Sequence, residues 1–272
     1  MPVETAANGT KLWRRRTSMA DRLHFAGWLA LLLLLVFTWQ VMTKDTIWAF
    51  VLDAPRQAAD IGSRMWPPRW SYIDALWKPL WDTLNMATLG TLLAIVLAVP
   101  IAFLAARNTT PSAVFVRPLA LLVIVSSRSI NAIIWALILV TILGPGVLAG
   151  IIAIALRSIG FIAKLLYEAI EEISVEPVEA IRATGASPAQ VLAWGIWPQV
   201  TPAFAGISVF RWDINIREAT VLGLVGAGGI GVNLEGSMNI LAWPQVTLIL
   251  LVILATVVVS EWVSAKIRHA II

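Results

Sequence analysis

The sequence has no cysteine and only two histidines, His24 and His269, placed near its opposite ends. Without cysteine there is no disulfide, no thiol nucleophile and no cysteine-based metal site. With the histidines so far apart in sequence, a histidine-based catalytic cluster within one chain is disfavoured. Charge is scarce too: Asp, Glu, Lys and Arg make up 13% of the 272 residues, against roughly 25% in a soluble domain. No G-x-x-x-x-G-K-[ST] run is present, so the chain carries no P-loop to cradle a nucleotide. No carboxylate pair, Ser–His arrangement or metal-ligand spacing points to an enzyme. The expectation is therefore no catalytic residue, no metal ligand and no cofactor on this chain.

What fills the sequence is apolar: 59% of its residues are hydrophobic. A membrane-crossing helix needs roughly 20 such residues, so six crossings use roughly 120 and leave room for loops. An all-α integral membrane protein in the lipid bilayer follows. The formal charge of +4 needs no nucleic acid to explain it, because cytoplasmic loops of membrane proteins are enriched in Lys and Arg.

Residues 1–24 form a basic tail with Lys11, Arg14, Arg15, Arg16 and Arg22. The apolar run 25–42 reads as an uncleaved first transmembrane helix, since no small-x-small cleavage site follows it. Residues 43–79 are tryptophan-rich, with five basic and four acidic residues and Pro67, Pro68 and Pro79 to interrupt helices. They read as an external loop of short helices on the membrane surface, where Trp is favoured, or as a contact surface for an external partner. A core domain then spans 80–272. Its crossings are expected at 80–106, 116–143, from 147 toward Glu172, 199–222 and 245–264. In the first of these Gly90, Ala94, Ala98 and Ala102 recur every four residues, a small-residue face that permits close helix packing. Ten Lys and Arg fall in segments that are cytoplasmic if the N-terminus is inside, and five fall outside. The positive-inside rule therefore predicts N-in, C-in.

Between two apolar runs lies a polar hairpin, residues 176–202. Pro177 suits the first turn of a helix, where its missing N–H leaves no bond unmade. Gly185 suits the position just past the helix end, which favours a left-handed backbone. Ser187 reads as the N-cap and Pro188 as the first residue of a second short helix, and Pro198 and Pro202 close the unit.

Intramembrane charge marks the other candidate site. Arg128, within the Ser126–Asn131 interruption of the third crossing, and Arg211, Asp213 and Arg217 in the fifth are too costly to face lipid, and such groups commonly mark a substrate path. Three cations and one anion suit an anionic substrate. The plainer alternative is that the arginines snorkel or pair with Asp213 and Glu218. Arg157 and Glu168 read as packing or surface groups. Gly226, Gly228 and Gly231 match G-x-G-x-x-G, with Gly229 at one of its free positions, but membrane-crossing flanks exclude a dinucleotide fold. A flexible outer loop and a re-entrant segment lining a watery cavity both remain open. The apolar composition and lack of Lys or Arg favour the second.

The hairpin resembles the coupling loop of ABC importer membrane subunits, written Glu-Ala-Ala, three residues, Gly, nine residues, Ile-x-Leu-Pro. Glu179, Ala180, Gly185 and Pro198 match at that spacing, while Ile181, Gly195 and Trp197 depart from it. With Arg128 to Ile130, Trp135 to Leu137, Lys164 to Glu171, Pro177 to Ala186 and Ala219 to Gly231 in order, residues 80–270 resemble the permease of phosphonate-type ABC importers. Asn131-Ala132 departs from the usual Pro, and Asp213 stands where Glu is common.

The resemblance implies a type I importer fold in the bacterial cytoplasmic (inner) membrane. It implies a second copy of the chain, two cytoplasmic ATPase subunits that hold ATP and magnesium, and an external binding protein for a phosphonate or related phosphorus oxyanion. Pro177, Glu179, Ala180, Arg182, Gly185, Ser187, Pro188 and Pro198 would then couple to the ATPase. Arg128, Ser129, Asn131, Arg211, Asp213, Arg217, Gly226, Gly228 and Gly229 would line the path. The alternative is an ion-coupled secondary transporter or channel for small anions, which leaves the hairpin unexplained.

Overall fold

A computed structural model describes residues 3–5, 8–13 and 18–271. Arg14, Arg15 and Arg16 lie outside the described residues. The chain divides into two units, 1–60 and 61–272.

The first unit starts with a small antiparallel ribbon, β1 (Val3–Thr5) and β2 (Lys11–Trp13). It continues with α1 (Ser18–Thr43) and the greater part of α2 (Trp48–Met65). Residues 21–42 of α1 are exposed throughout, and from Phe25 to Phe37 they are apolar, as a lipid-facing helix requires. Its two late threonines return their hydroxyls to the helix: Thr38 donates to the Leu34 carbonyl and Thr43 to that of Trp39, each at 2.7 Å. In hydrocarbon a hydroxyl finds no water, so this local bond is the available partner. α2 is a single helix of 18 residues, longer than the short segments expected between 43 and 79. Its polar stripe, with Asp53, Arg56, Gln57 and Asp60, lies opposite Trp48, Val51 and Leu52, so the amphipathic pattern runs through Pro55.

In the second unit the end of α2 is followed by a 3-10 turn, Trp70–Leu76, which runs directly into α3 (Trp77–Ala105). Pro79 does not interrupt it as expected, because it sits in the first turn of α3, where no carbonyl awaits its missing N–H. Then come α4 (Val116–Ser129), α5 (Ala132–Leu143) and α6 (Val147–Glu171). After α7 (Val175–Ala183) and α8 (Pro188–Gln190), a π-helical segment Val191–Ile196 leads into α9 (Trp197–Leu222). α10 (Ile230–Asn239) and α11 (Trp243–Ile271) complete it. Among the described residues, four helical stretches are long and apolar enough to cross a membrane. Two broken pairs, α4 with α5 and α8–α9 with α10, bring the number to six if each pair is one crossing.

α6 is the central helix, packing on α3, α4, α5 and α9. Small residues make this possible. Gly90, Ala94, Ala98 and Ala102 are buried on α3, and a Cβ on Gly90 would lie 2.8 Å from the Ile154 side chain. Ile162, Leu166 and Ile170 of α6 fill the space below with no exposure.

The third crossing is not one helix. α4 and α5 meet at 86°, because Ile130 is extended and Asn131 caps α5, its side-chain oxygen accepting from the Ile133 N–H at 3.1 Å. The break places Arg128 in the last turn of α4, where the helix dipole favours a cation. The glycine-rich run is likewise more regular than expected: α10 occupies Ile230–Asn239.

Candidate functional site

The hairpin is built from its turn outward. Gly185 has φ +81°, the left-handed backbone that ends α7. Ser187 and Gln190 form a reciprocal capping box, the Ser187 N–H donating to Gln190 Oε1 at 2.8 Å. Pro198 and Pro202, however, do not close the unit. Both lie within α9, and helix runs on from Pro188 to Leu222. The π segment explains this: Trp197 N–H bonds five residues back to Leu192, and the wider turn accommodates a proline that cannot donate.

The hairpin is clasped to the bundle. Gln199 accepts from the Ser174 N–H at 3.1 Å and donates to the Ser174 and Gly195 carbonyls at 3.3 and 2.7 Å. Val178, Val191 and Ile196 are buried beneath it. Trp197 packs on Phe103 of α3 and Phe204 of α9. The residues expected to couple to the ATPase, Pro177, Glu179, Ala180, Arg182, Gly185, Ser187, Pro188 and Pro198, are all exposed. Beside them Trp194 is 73% exposed, a large aromatic that the motif did not single out. A concavity of about 440 Å³ lies between Arg182 and Pro188 of the hairpin and Asn108 and Thr109 of the α3–α4 loop.

The intramembrane charges form two groups on α9. In the first, Glu218 is shared: its Oε2 lies 3.1 Å from Arg211 Nη2, and its Oε1 3.2 Å from Arg157 Nε on α6. Arg211 is 2% exposed, and its burial is compensated on every side. Its Nε donates to Ser158 Oγ at 2.9 Å, and its guanidinium lies over the Phe161 ring at 5.1 Å. The chain continues from Ser158 to Asn215 Oδ1 at 3.2 Å, and from Asn215 Nδ2 to Thr91 Oγ1 at 2.7 Å. Thus α3, α6 and α9 are joined by one buried polar network, the arrangement that a buried charge requires. In the second group Asp213 pairs with Arg217, four residues on, and accepts from Ser260 Oγ of α11 at 2.8 Å.

Asn131, Arg157, Arg217 and Glu218 line a common cleft of about 260 Å³. Of the expected path residues, the structure brings Asn131 and Arg217 to it. Arg211 lies behind it through Glu218, and Asp213 through Arg217. Arg128 and Ser129 are exposed and do not line it. Gly226, Gly228 and Gly229 lie elsewhere and serve packing. The Gly226 carbonyl accepts from Gly146 N–H at 3.1 Å, and a Cβ on Gly228 or Gly229 would press on Val147 or on Thr83 Oγ1. Arg157, read from sequence as a packing or surface group, pairs with Glu218 across α6 and α9 on the cleft wall. A larger concavity of about 670 Å³, walled by Trp77, Trp81, Leu84, Trp212, Val252 and Val259, is too apolar to suit an oxyanion.

Residues 98–269 match the family described as the binding-protein-dependent transport system inner membrane component. The phosphite transport system permease protein PtxC of Stutzerimonas stutzeri is 41% identical over 234 residues, covering 86% of this chain and 84% of that protein. The phosphate-import permease protein PhnE of Mycolicibacterium smegmatis is 38% identical over 238 residues, covering 88% of this chain and 44% of that protein. A structure of the MetNI methionine ABC transporter in an inward-facing conformation shares the fold, with TM-score 0.65 at 21% identity over 75% of this chain and 99% of that one. A bundle with an exposed hairpin, the match over most of the core and these relatives agree: the chain belongs to the family of binding-protein-dependent transport system inner membrane components, the permease subunits of ABC importers.

Proposed function

We propose that the chain moves a phosphorus oxyanion, such as phosphite, phosphate or a phosphonate, into the cytoplasm, driven by ATP hydrolysis on a separate subunit. The observation that carries the substrate class is the cleft walled by Arg157 and Arg217, two guanidinium groups that suit tetrahedral oxyanions. The names of the phosphite and phosphate relatives point the same way. ATP and magnesium belong to the partner ATPase, since no P-loop is present here. The working assembly is a pair of permease chains, read as two copies of this one, with two ATPase subunits and an external binding protein that selects the anion.

The exposed hairpin is the lever. ATP-driven closure of the ATPase pair shifts α7 and α8, and the Gln199 clasp passes that shift to α9, which carries Arg211, Asp213, Arg217 and Glu218. Closure drives the change only because ATP binds one permease conformation more tightly than the other.

The test is ATP hydrolysis by the chain reconstituted with its ATPase subunit and binding protein, titrated separately with methylphosphonate, 2-aminoethylphosphonate, phosphite and phosphate. Stimulation by one anion, dependent on the binding protein, is the expected result and names the substrate. Failure to form a complex with any ATPase would instead favour an ion-coupled carrier.

A further inference from the structure

Glu218 stands between two arginines, one on each carboxylate oxygen. Arg157, Arg211 and Glu218 together carry a net single positive charge, while neighbouring Arg217 is balanced by Asp213. The place where the two guanidinium groups converge is thus filled by the chain's own two-oxygen anion. The same donors suit a phosphorus oxyanion equally well. The cleft opens onto this place, because Asn131, Arg157, Arg217 and Glu218 all line it. Its volume of about 260 Å³ is several times the about 30 Å³ share of one liquid water, which leaves room for a small tetrahedral anion. Exposure divides the arginines into two roles. Arg217 and Arg157 are 44% and 30% exposed at their side chains and face the cleft, whereas Arg211 is 3% exposed and held from behind by Ser158.

We propose that Glu218 is a built-in counter-anion that the transported oxyanion displaces. This rests on the reading of the chain as a phosphorus-oxyanion permease. At rest the Glu218 carboxylate pairs with both Arg157 and Arg211. The incoming anion takes over Arg157 beside Arg217, and Glu218 returns to Arg157 as the anion leaves. Arg157 meets Glu218 at Nε, 3.2 Å from Oε1, and a guanidinium has five N–H donors, so both anions can be held during the exchange. Neither step leaves a buried arginine without a counter-charge, which is the costly state. The exchange also keeps affinity low. An anion that had no competitor for three arginines would bind and stay, and transport needs release. Arg211 is a positioning residue here, holding Glu218 in register.

The experiment compares wild type, Glu218→Gln and Glu218→Asp as complete permease–ATPase complexes, with inorganic phosphate as the probe because the exchange depends on charge. Equilibrium binding of radiolabelled phosphate is measured without nucleotide in chloride-free buffer. ATP-driven uptake is measured in proteoliposomes with the binding protein. Removing the competing charge is expected to tighten phosphate binding at least about tenfold in Glu218→Gln, the scale of one unit charge at close range, and to slow uptake. Glu218→Asp, which keeps the charge but withdraws it by one methylene, is expected to fall between Gln and wild type. A purely structural Glu218 would give unchanged or weaker binding in both variants, and that result overturns the proposal. Should Glu218→Gln fail to assemble, Glu218→Asp decides alone, with affinity no tighter than wild type counting against it. Uptake by the wild-type complex tests the underlying reading separately. No transport of any phosphorus oxyanion would remove that reading, whatever the order of affinities.

Discussion

Gly160 is where α4 and α6 meet backbone to side chain. Its N–H donates to Ser127 Oγ at 2.9 Å, and Ser127 in turn donates to the Leu156 carbonyl. A Cβ at this position would stand 2.5 Å from the Ile124 carbonyl oxygen and 2.8 Å from Ser127 Oγ. A backbone oxygen cannot step aside as a side chain can, so Gly160→Ala is expected to destabilise the protein by about 1–3 kcal/mol. Gly206→Ala is the control, because nothing lies within 4 Å of its would-be Cβ. Thermal unfolding in detergent should show a lower midpoint for the first and little change for the second. Equal midpoints would mean that α4 and α6 do not approach this closely. Single residues also show what the sequence could and could not reveal. Asp213 and Arg217 are four apart on one helix, so their pairing follows from helix geometry. The partnership of Glu218 with Arg157 joins two helices separated by the whole hairpin. No local spacing encodes it, and Arg157 consequently read as a packing group.

At the scale of elements, the hairpin divides in the same way. Its turn was legible because turn chemistry is local: only glycine takes φ +81° without strain, and Ser187 with Gln190 is a capping pair visible in the letters alone. Its C-terminal boundary was not, since proline is normally a stop signal. The π segment Val191–Ile196, which lets Pro198 pass, has no composition of its own. The same limit hid the 86° break between α4 and α5: the sequence showed an interruption at Ser126–Asn131 but not its angle, which packing on α6 decides. If the hairpin is the lever proposed here, the turn at Gly185 must keep its shape. Proline fixes φ near −65°, so Gly185→Pro forces the turn open while leaving the flanking spans untouched. The variant is expected to insert into membranes at wild-type level, with substrate-stimulated ATP hydrolysis reduced to the basal rate. Normal stimulation would show that the hairpin does not transmit the motion.

For the whole molecule, the proposed direction of transport depends on which side the hairpin faces. We propose that it faces the cytoplasm, on two grounds. With the expected six crossings, ten Lys and Arg fall in segments on the hairpin's side and five on the other, which the positive-inside rule reads as cytoplasmic. An ATPase partner, moreover, has its nucleotide only there. The absence of cysteine from the chain makes the question directly measurable, because any introduced thiol is the only one. Asp45 lies in the exposed turn between α1 and α2, and Ala189 is exposed on α8. In intact cells a membrane-impermeant maleimide is expected to label Asp45→Cys and to spare Ala189→Cys. After the membrane is opened, Ala189→Cys should label as well. The reverse pattern would put the hairpin outside, beyond reach of any cytoplasmic ATPase. The arginine-walled cleft would then have to be explained by an ion-coupled carrier. The same pair of thiols therefore tests the orientation and, through it, the source of the energy.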